Sequence, residues 1–193
     1  MRSALTTIAK FLLCVVIAVG LAGASGYLML RSIGGGIRNG VWETDLAIGT
    51  SDAGLYQRAR VALYGLWALS STETVYFVTK TDSDGNALKR ECTYRIEGKD
   101  PDTRWWSLTV YNNYFFVPNT ENRYSFSKTT IEREQDGDWQ IHLSGQPQAK
   151  NWLPSGDKDG ELILNLRTYN PTAEFVRDVA TAPLPKIVKE VCA

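Results

Sequence analysis

Residues 161–169 read Glu161-Leu162-Ile163-Leu164-Asn165-Leu166-Arg167-Thr168-Tyr169. Successive side chains of an extended chain point to opposite faces, so Leu162, Leu164 and Leu166 line one face while Asn165 and Arg167 line the other. The segment predicts a half-buried β-strand. The same two-residue period runs through 74–80, 87–97, 105–111, 123–129 and 139–143, all rich in β-branched and aromatic residues. Turn signals separate them: Asp84-Gly85, Asp136-Gly137, residues 151–156 and Asn170-Pro171. Short strands punctuated in this way point to an antiparallel sandwich or barrel. Beyond them, a helical turn near 172–178 and an extended stretch over 184–191 are expected.

Upstream the period changes. Leu55, Ala59, Ala62, Leu63, Leu66 and Leu69 fall on one stripe at helical spacing, with Gln57, Arg58 and Arg60 off it. An amphipathic helix over about 52–69, capped by Ser51 or Asp52, is therefore expected to lay its stripe on the sheet. Before it, residues 31–41 are glycine-rich and read as a flexible linker.

The N-terminus belongs to another solvent. Residues 11–30, FLLCVVIAVGLAGASGYLML, carry no charge and lie between Lys10 and Arg31. A helix of that length spans about 30 Å, the thickness of a bilayer core. Residues 1–30 therefore read as a transmembrane signal-anchor in contact with lipid through 11–30. The alternative is a signal peptide cleaved near Ala24, since Ala22-Gly23-Ala24 offers the small residues a peptidase needs. Against that, the apolar run outlasts an ordinary signal core of about 7–15 residues. Arg2, Lys10 and the terminal amine precede the span and Arg31 and Arg38 follow it, so the charge balance tips only slightly toward exporting residues 42–193 into the periplasm. Outside the span there are two cysteines, Cys92 and Cys192, an even number able to form one disulfide in an oxidising compartment.

Composition excludes several functions. Arg2 and Lys10 are the only charges before position 31, leaving 19 basic against 21 acidic residues after it, a net of −2. A near-neutral body lacks the basic footprint of a nucleic-acid binder. With 44% hydrophobic and 22% charged residues it is an ordinary globular composition. His142 is the one histidine, so a three-histidine zinc site is impossible. Asp82-Ser83-Asp84-Gly85-Asn86 lacks the glycine position and the final glutamate of a calcium loop, and reads as a hairpin turn. Neither a nucleophile elbow nor a phosphate loop is present, and no metal or cofactor is expected. Six tryptophans, nine tyrosines and six phenylalanines are the richest feature. Trp105 and Trp106 must diverge on a strand, and an outward ring near Tyr111, Tyr114, Phe115 and Phe116 can serve as a platform for a sugar or lipid.

Two stretches carry a resemblance: Arg104-Trp105-Trp106-Ser107-Leu108-Thr109-Val110-Tyr111, continuing to Val117-Pro118-Asn119 and Arg123-Tyr124-Ser125, and Asn151-Trp152-Leu153-Pro154 leading into 164–171. Together they resemble the bacterial domain of unknown function 1214 family, over about 42–185. The resemblance implies a β-sandwich of jelly-roll character and no activity. Many relatives carry a partner domain where this chain has a membrane segment and a short helical region.

The function expected is thus that of a membrane-anchored envelope protein, non-enzymatic, whose exported sandwich binds a partner protein or an envelope glycan. Trp105, Trp106, Tyr114 and Arg123 are the candidate ligand-binding residues. Arg123 and Arg167 can bind a ligand carboxylate, or pair with Glu121 or Glu161. A hydrolase or lyase of an envelope saccharide or ester is the alternative, with His142, Arg167, Tyr111 and Asp157 as participants if they share one pocket. A structural assembly module is the third reading.

Overall fold

The computed structural model describes residues 2–31, 36–63, 68–113, 115–157 and 159–192. The fold is mainly β. One helix, α1 (Arg2–Arg31), precedes everything else and stands exposed along its apolar length. Its 24-residue stretch Thr6–Met29, of mean hydropathy 2.2, is long and apolar enough to cross a membrane.

Among the described residues the strands form two sheets. The larger contains β1 (Ile37–Asn39), β2 (Trp42–Thr44), β3 (Thr74–Thr79), β5 (Thr103–Asn112), β6 (Phe115–Phe116), β7 (Ser125–Ser127) and β10 (Leu162–Pro171). Its order is β1-β2-β3-β10-β5-β6, with β7 also on β5. The smaller runs β11-β4-β8-β9, from β11 (Lys186–Cys192), β4 (Cys92–Gly98), β8 (Trp139–Ser144) and β9 (Trp152–Pro154). All pairings are antiparallel except β8 with β9. The chain crosses repeatedly between the sheets, from β3 to β4, back to β5, and again from β7 to β8 and β9 to β10.

Alternation explains the core. Leu162, Leu164 and Leu166 of β10, Trp106, Leu108 and Val110 of β5, and Val75 and Phe77 of β3 face Tyr94 and Ile96 of β4 and Trp139, Ile141 and Leu143 of β8, all buried. Trp106 stacks on Trp139 at 4.8 Å between centroids, and Phe77 meets the edge of Phe175 at 6.0 Å. Phe175 comes from the short helix α3 (Ala173–Arg177), whose first turn is capped by the Thr172 hydroxyl accepting from the Phe175 N–H. Cys92 and Cys192 form a disulfide that fastens the last strand to β4 across 100 residues of sequence.

Four expectations need correction or trimming. The linker read over 31–41 contains β1, because Asn39 pairs with Trp42 around Gly40, which takes a φ of 59° that suits glycine. Trp42 then sinks into the core and donates to the Pro185 carbonyl. The strand read over 87–97 begins only at Cys92: Ala87 makes an isolated bridge to Thr81, and a turn follows in which the Cys92 N–H donates to the Lys89 carbonyl. The strand read over 123–129 is confined to Ser125–Ser127. The helix expected over 52–69 is α2 (Leu55–Leu63); residues 68–70 are not helical, and 64–67 lie outside the described residues. Its stripe does not lie on the sheet: Leu55 is 85% exposed, and Ala59 and Ala62 are exposed as well.

Candidate functional site

Each sheet has an outer face, and the two are chemically unlike. On the smaller sheet His142 lies between Arg95 of β4 and Trp152 of β9. The carboxylates within reach, Glu97 and Glu190, both pair with Arg95. Among the described residues no acid is bonded to the imidazole, and this face reads as a solvated sheet surface.

The outer face of the larger sheet gathers the residues that alternate with the core. Across β10, β5 and β3, Arg167 stands opposite Ser107 and Tyr76, Asn165 opposite Thr109 and Val78, Ile163 opposite Tyr111, and Tyr169 opposite Trp105. Arg167 is half-buried, donates to the Thr109 hydroxyl at 3.2 Å and to the Tyr111 hydroxyl, and lies 5.7 Å from the Tyr111 ring centre. From Tyr111 the rings continue to Phe116 at 5.5 Å and on to Tyr124 at 4.9 Å. At the other end Trp105 packs on Tyr169 at 5.2 Å. Trp105 and Tyr111 are six residues apart on one strand, so the strip extends roughly 20 Å. Its ends are aromatic and its centre is cationic.

Two features suggest that this strip takes a ligand. Among the described residues Arg167 has no carboxylate partner: Glu161 pairs with Lys80, and Glu43, carried by β2 of the same sheet, pairs with Arg38. A half-buried guanidinium normally recruits an acid, because lost hydration must be replaced. Beside it, Asn165 is buried and its Oδ1 accepts no hydrogen bond. The Arg167 guanidinium is thus the group here able to offer donors to a carboxylate, with the Asn165 amide oxygen enclosed beside it.

The other candidates are placed as follows. Trp106 is fully buried and donates to Asp100 at 2.9 Å, so it belongs to the core and not to a binding platform. Tyr114 lies outside the described residues. Arg123 is exposed, donates to the Trp152 carbonyl at 3.3 Å and lies over the Phe126 ring. The pairings of Arg123 and Arg167 with Glu121 or Glu161 do not form, and β5 separates the segments that carry the two arginines. Asp157 is exposed in the loop before β10 and joins neither Arg167 nor Tyr111. Of the four residues named for catalysis, the fold brings together only Arg167 and Tyr111. His142 points outward from the opposite sheet.

Asn165 escaped the sequence reading, although a lone amide inside a leucine-rich strand was its visible signal. Asn151 proves to be a brace. Its backbone is left-handed at φ 41°, its Oδ1 accepts from the Glu132 N–H, and its Nδ2 donates to the Glu132 and Gln140 carbonyls. Trp152 donates to the Ser144 carbonyl, and Leu153 enters the core. The Asn-Trp-Leu-Pro element therefore holds β9 against β8.

What fold and face define is a two-sheet sandwich behind an apolar helix, with an aromatic and cationic strip on one sheet. The family model "Protein of unknown function (DUF1214)" matches residues 73–173, just over half of the chain. This chain belongs to that family. The crystal structure of the VPA0106 protein from Vibrio parahaemolyticus is similar, at 25% identity and a TM-score of 0.56, over 71% of this chain and 36% of that one. An uncharacterised protein from Burkholderia cenocepacia is aligned over 63% of this chain and 30% of its own, at 18% identity and a TM-score of 0.41. This chain thus spans about a third of the length of the Vibrio protein. No curated protein matches it.

Proposed function

We propose that this protein is a single-pass, inner-membrane-anchored envelope protein whose periplasmic β-sandwich binds an acidic glycan along the outer face of the larger sheet. The observation that carries the reading is Arg167: half-buried, without a carboxylate partner among the described residues, and set against the half-buried Tyr111 ring, which stacks on the exposed Phe116. Sugar rings stack on aromatic faces, and a sugar carboxylate is the planar, two-oxygen anion that a guanidinium fork fits. Support for export comes from the Cys92–Cys192 disulfide, a bond that persists in oxidising compartments, and from the short basic leader that a cytoplasm retains. The hydrolase or lyase alternative gains nothing from this geometry, since its participants lie on opposite faces.

Titration of the detergent-solubilised full chain with uronic-acid oligosaccharides and their neutral counterparts tests this. Acidic chains should bind in preference, and Arg167→Gln should remove the preference while leaving the far-ultraviolet spectrum intact. Equal or absent binding of both sets, with crosslinking to an envelope protein instead, would replace the glycan by a protein partner.

A further inference from the structure

The helix α2 is inside out. At 100° per residue Leu55, Tyr56, Ala59 and Ala62 occupy one arc, and Gln57 and Val61 the opposite one. A surface helix buries the first kind of arc. Here Leu55 is 85% exposed, Tyr56 50%, and Ala59 and Ala62 are exposed, whereas Gln57 and Val61 are the half-buried positions. Gln57 is tied to the body by its bond to Asp45. Arg58, on the flank of the apolar arc, folds back onto the Ser51 and Ala53 carbonyls. The helix reads Leu-Tyr-Gln-Arg-Ala-Arg-Val-Ala-Leu and contains no acid. It touches α1, the helix long and apolar enough to cross a bilayer.

We infer that α2 is a membrane-surface helix that lies flat at the outer boundary of the bilayer crossed by α1, its Leu55–Ala59–Ala62 arc sunk among the acyl chains. The inference rests on reading α1 as a membrane span. Contact with α1 sets the occupant: a helix held against a span meets lipid before it meets a diffusing protein. Its charge agrees, since apolar helices bearing arginine and no acid are drawn to anionic headgroups. Seated in this way, α2 gives the body a second attachment and fixes how the sandwich stands on the membrane.

Collisional accessibility of spin labels on the full chain tests this, in vesicles of phosphatidylethanolamine and phosphatidylglycerol. In a Cys14→Ser background, labels are placed singly at Val19→Cys in α1, Leu55→Cys and Ala59→Cys on the arc, and Asp52→Cys as the aqueous reference. The expected result is oxygen-rich, nickel-poor accessibility at 19, 55 and 59, with nickel access at 55 and 59 several-fold below that at 52. Lipid contact at 19 with aqueous contact at 55 and 59 overturns the inference and leaves the anchor standing. Aqueous contact at 19 removes the anchor and this inference with it. Exclusion of both reagents at 55 assigns the arc to a protein, and spin–spin broadening there assigns it to a second copy; either result overturns the inference.

Discussion

Arg167 has replaced much of its hydration with two hydroxyls and a ring face, with no carboxylate at hand. Such a group is dispensable for folding when an apolar side chain of similar length can occupy its path. Arg167→Met should therefore keep the unfolding free energy within about 1 kcal/mol of the parent while abolishing the preference for acidic glycans, which denaturant titration and binding together check. Asn151 behaves in the opposite way. Removing its three side-chain bonds in Asn151→Ala should cost about 2–3 kcal/mol in denaturant titration, because part-buried backbone groups of Glu132 and Gln140 lose their partners. Tyr94 makes stability depend on alkaline pH. Its burial raises the hydroxyl pKa, as do the Asp82 and Glu91 charges, while the Lys89 N–H bond lowers it. The unfolded phenol thus ionises first, so the contribution is complete below the unfolded value of about 10 and is lost as pH rises through the folded pKa. Tyr94→Phe should flatten that alkaline fall, read as thermal midpoint against pH. At this scale Arg167 and Tyr111 were legible as candidates, because strand period assigns them to an outer face. Their hydrogen bond was not, since it joins positions 56 residues apart.

Strands and their staples set the next level. β11 is exposed over most of its length and contributes chiefly Ile187 to the core. The disulfide therefore reinforces a strand held otherwise by its backbone ladder to β4. Closing 100 residues of chain is worth on the order of 4–5 kcal/mol in the chain-entropy account. Cys192→Ser should lose a comparable amount in denaturant titration, and reductant should move the parent toward the mutant without affecting the mutant. The strands themselves were readable, because alternation is a local property that β3 and β8 largely keep in burial and that β5 and β10 keep in which face each side chain takes. β6 and β9, of two and three residues, are too short for a period to register. In α2 the stripe was read correctly and its partner was not, for amphipathicity reports that a helix has an apolar side without naming what lies against it.

For the molecule as a whole, the proposed anchoring through α1 would determine where any binding happens. Alkaline carbonate washing of membranes should leave the full chain in the pellet, whereas release to the supernatant would mark α1 as something other than a span. On that proposal the strip on the larger sheet would work in a layer bounded by the membrane.

Local arithmetic was enough for part of this. An uncharged run of bilayer length and a two-residue period repeated along the body depend on neighbours in sequence, and from them come the apolar helix, the mainly β class and the face each side chain takes. Which strands lie side by side depends on contacts between distant positions, where many registers bury similar apolar area and differ only in their full three-dimensional packing. Tertiary structure alone therefore brought Arg167 beside Thr109 and Tyr111, set His142 on the far sheet, left Asn165 without a donor, and turned the apolar side of α2 outward.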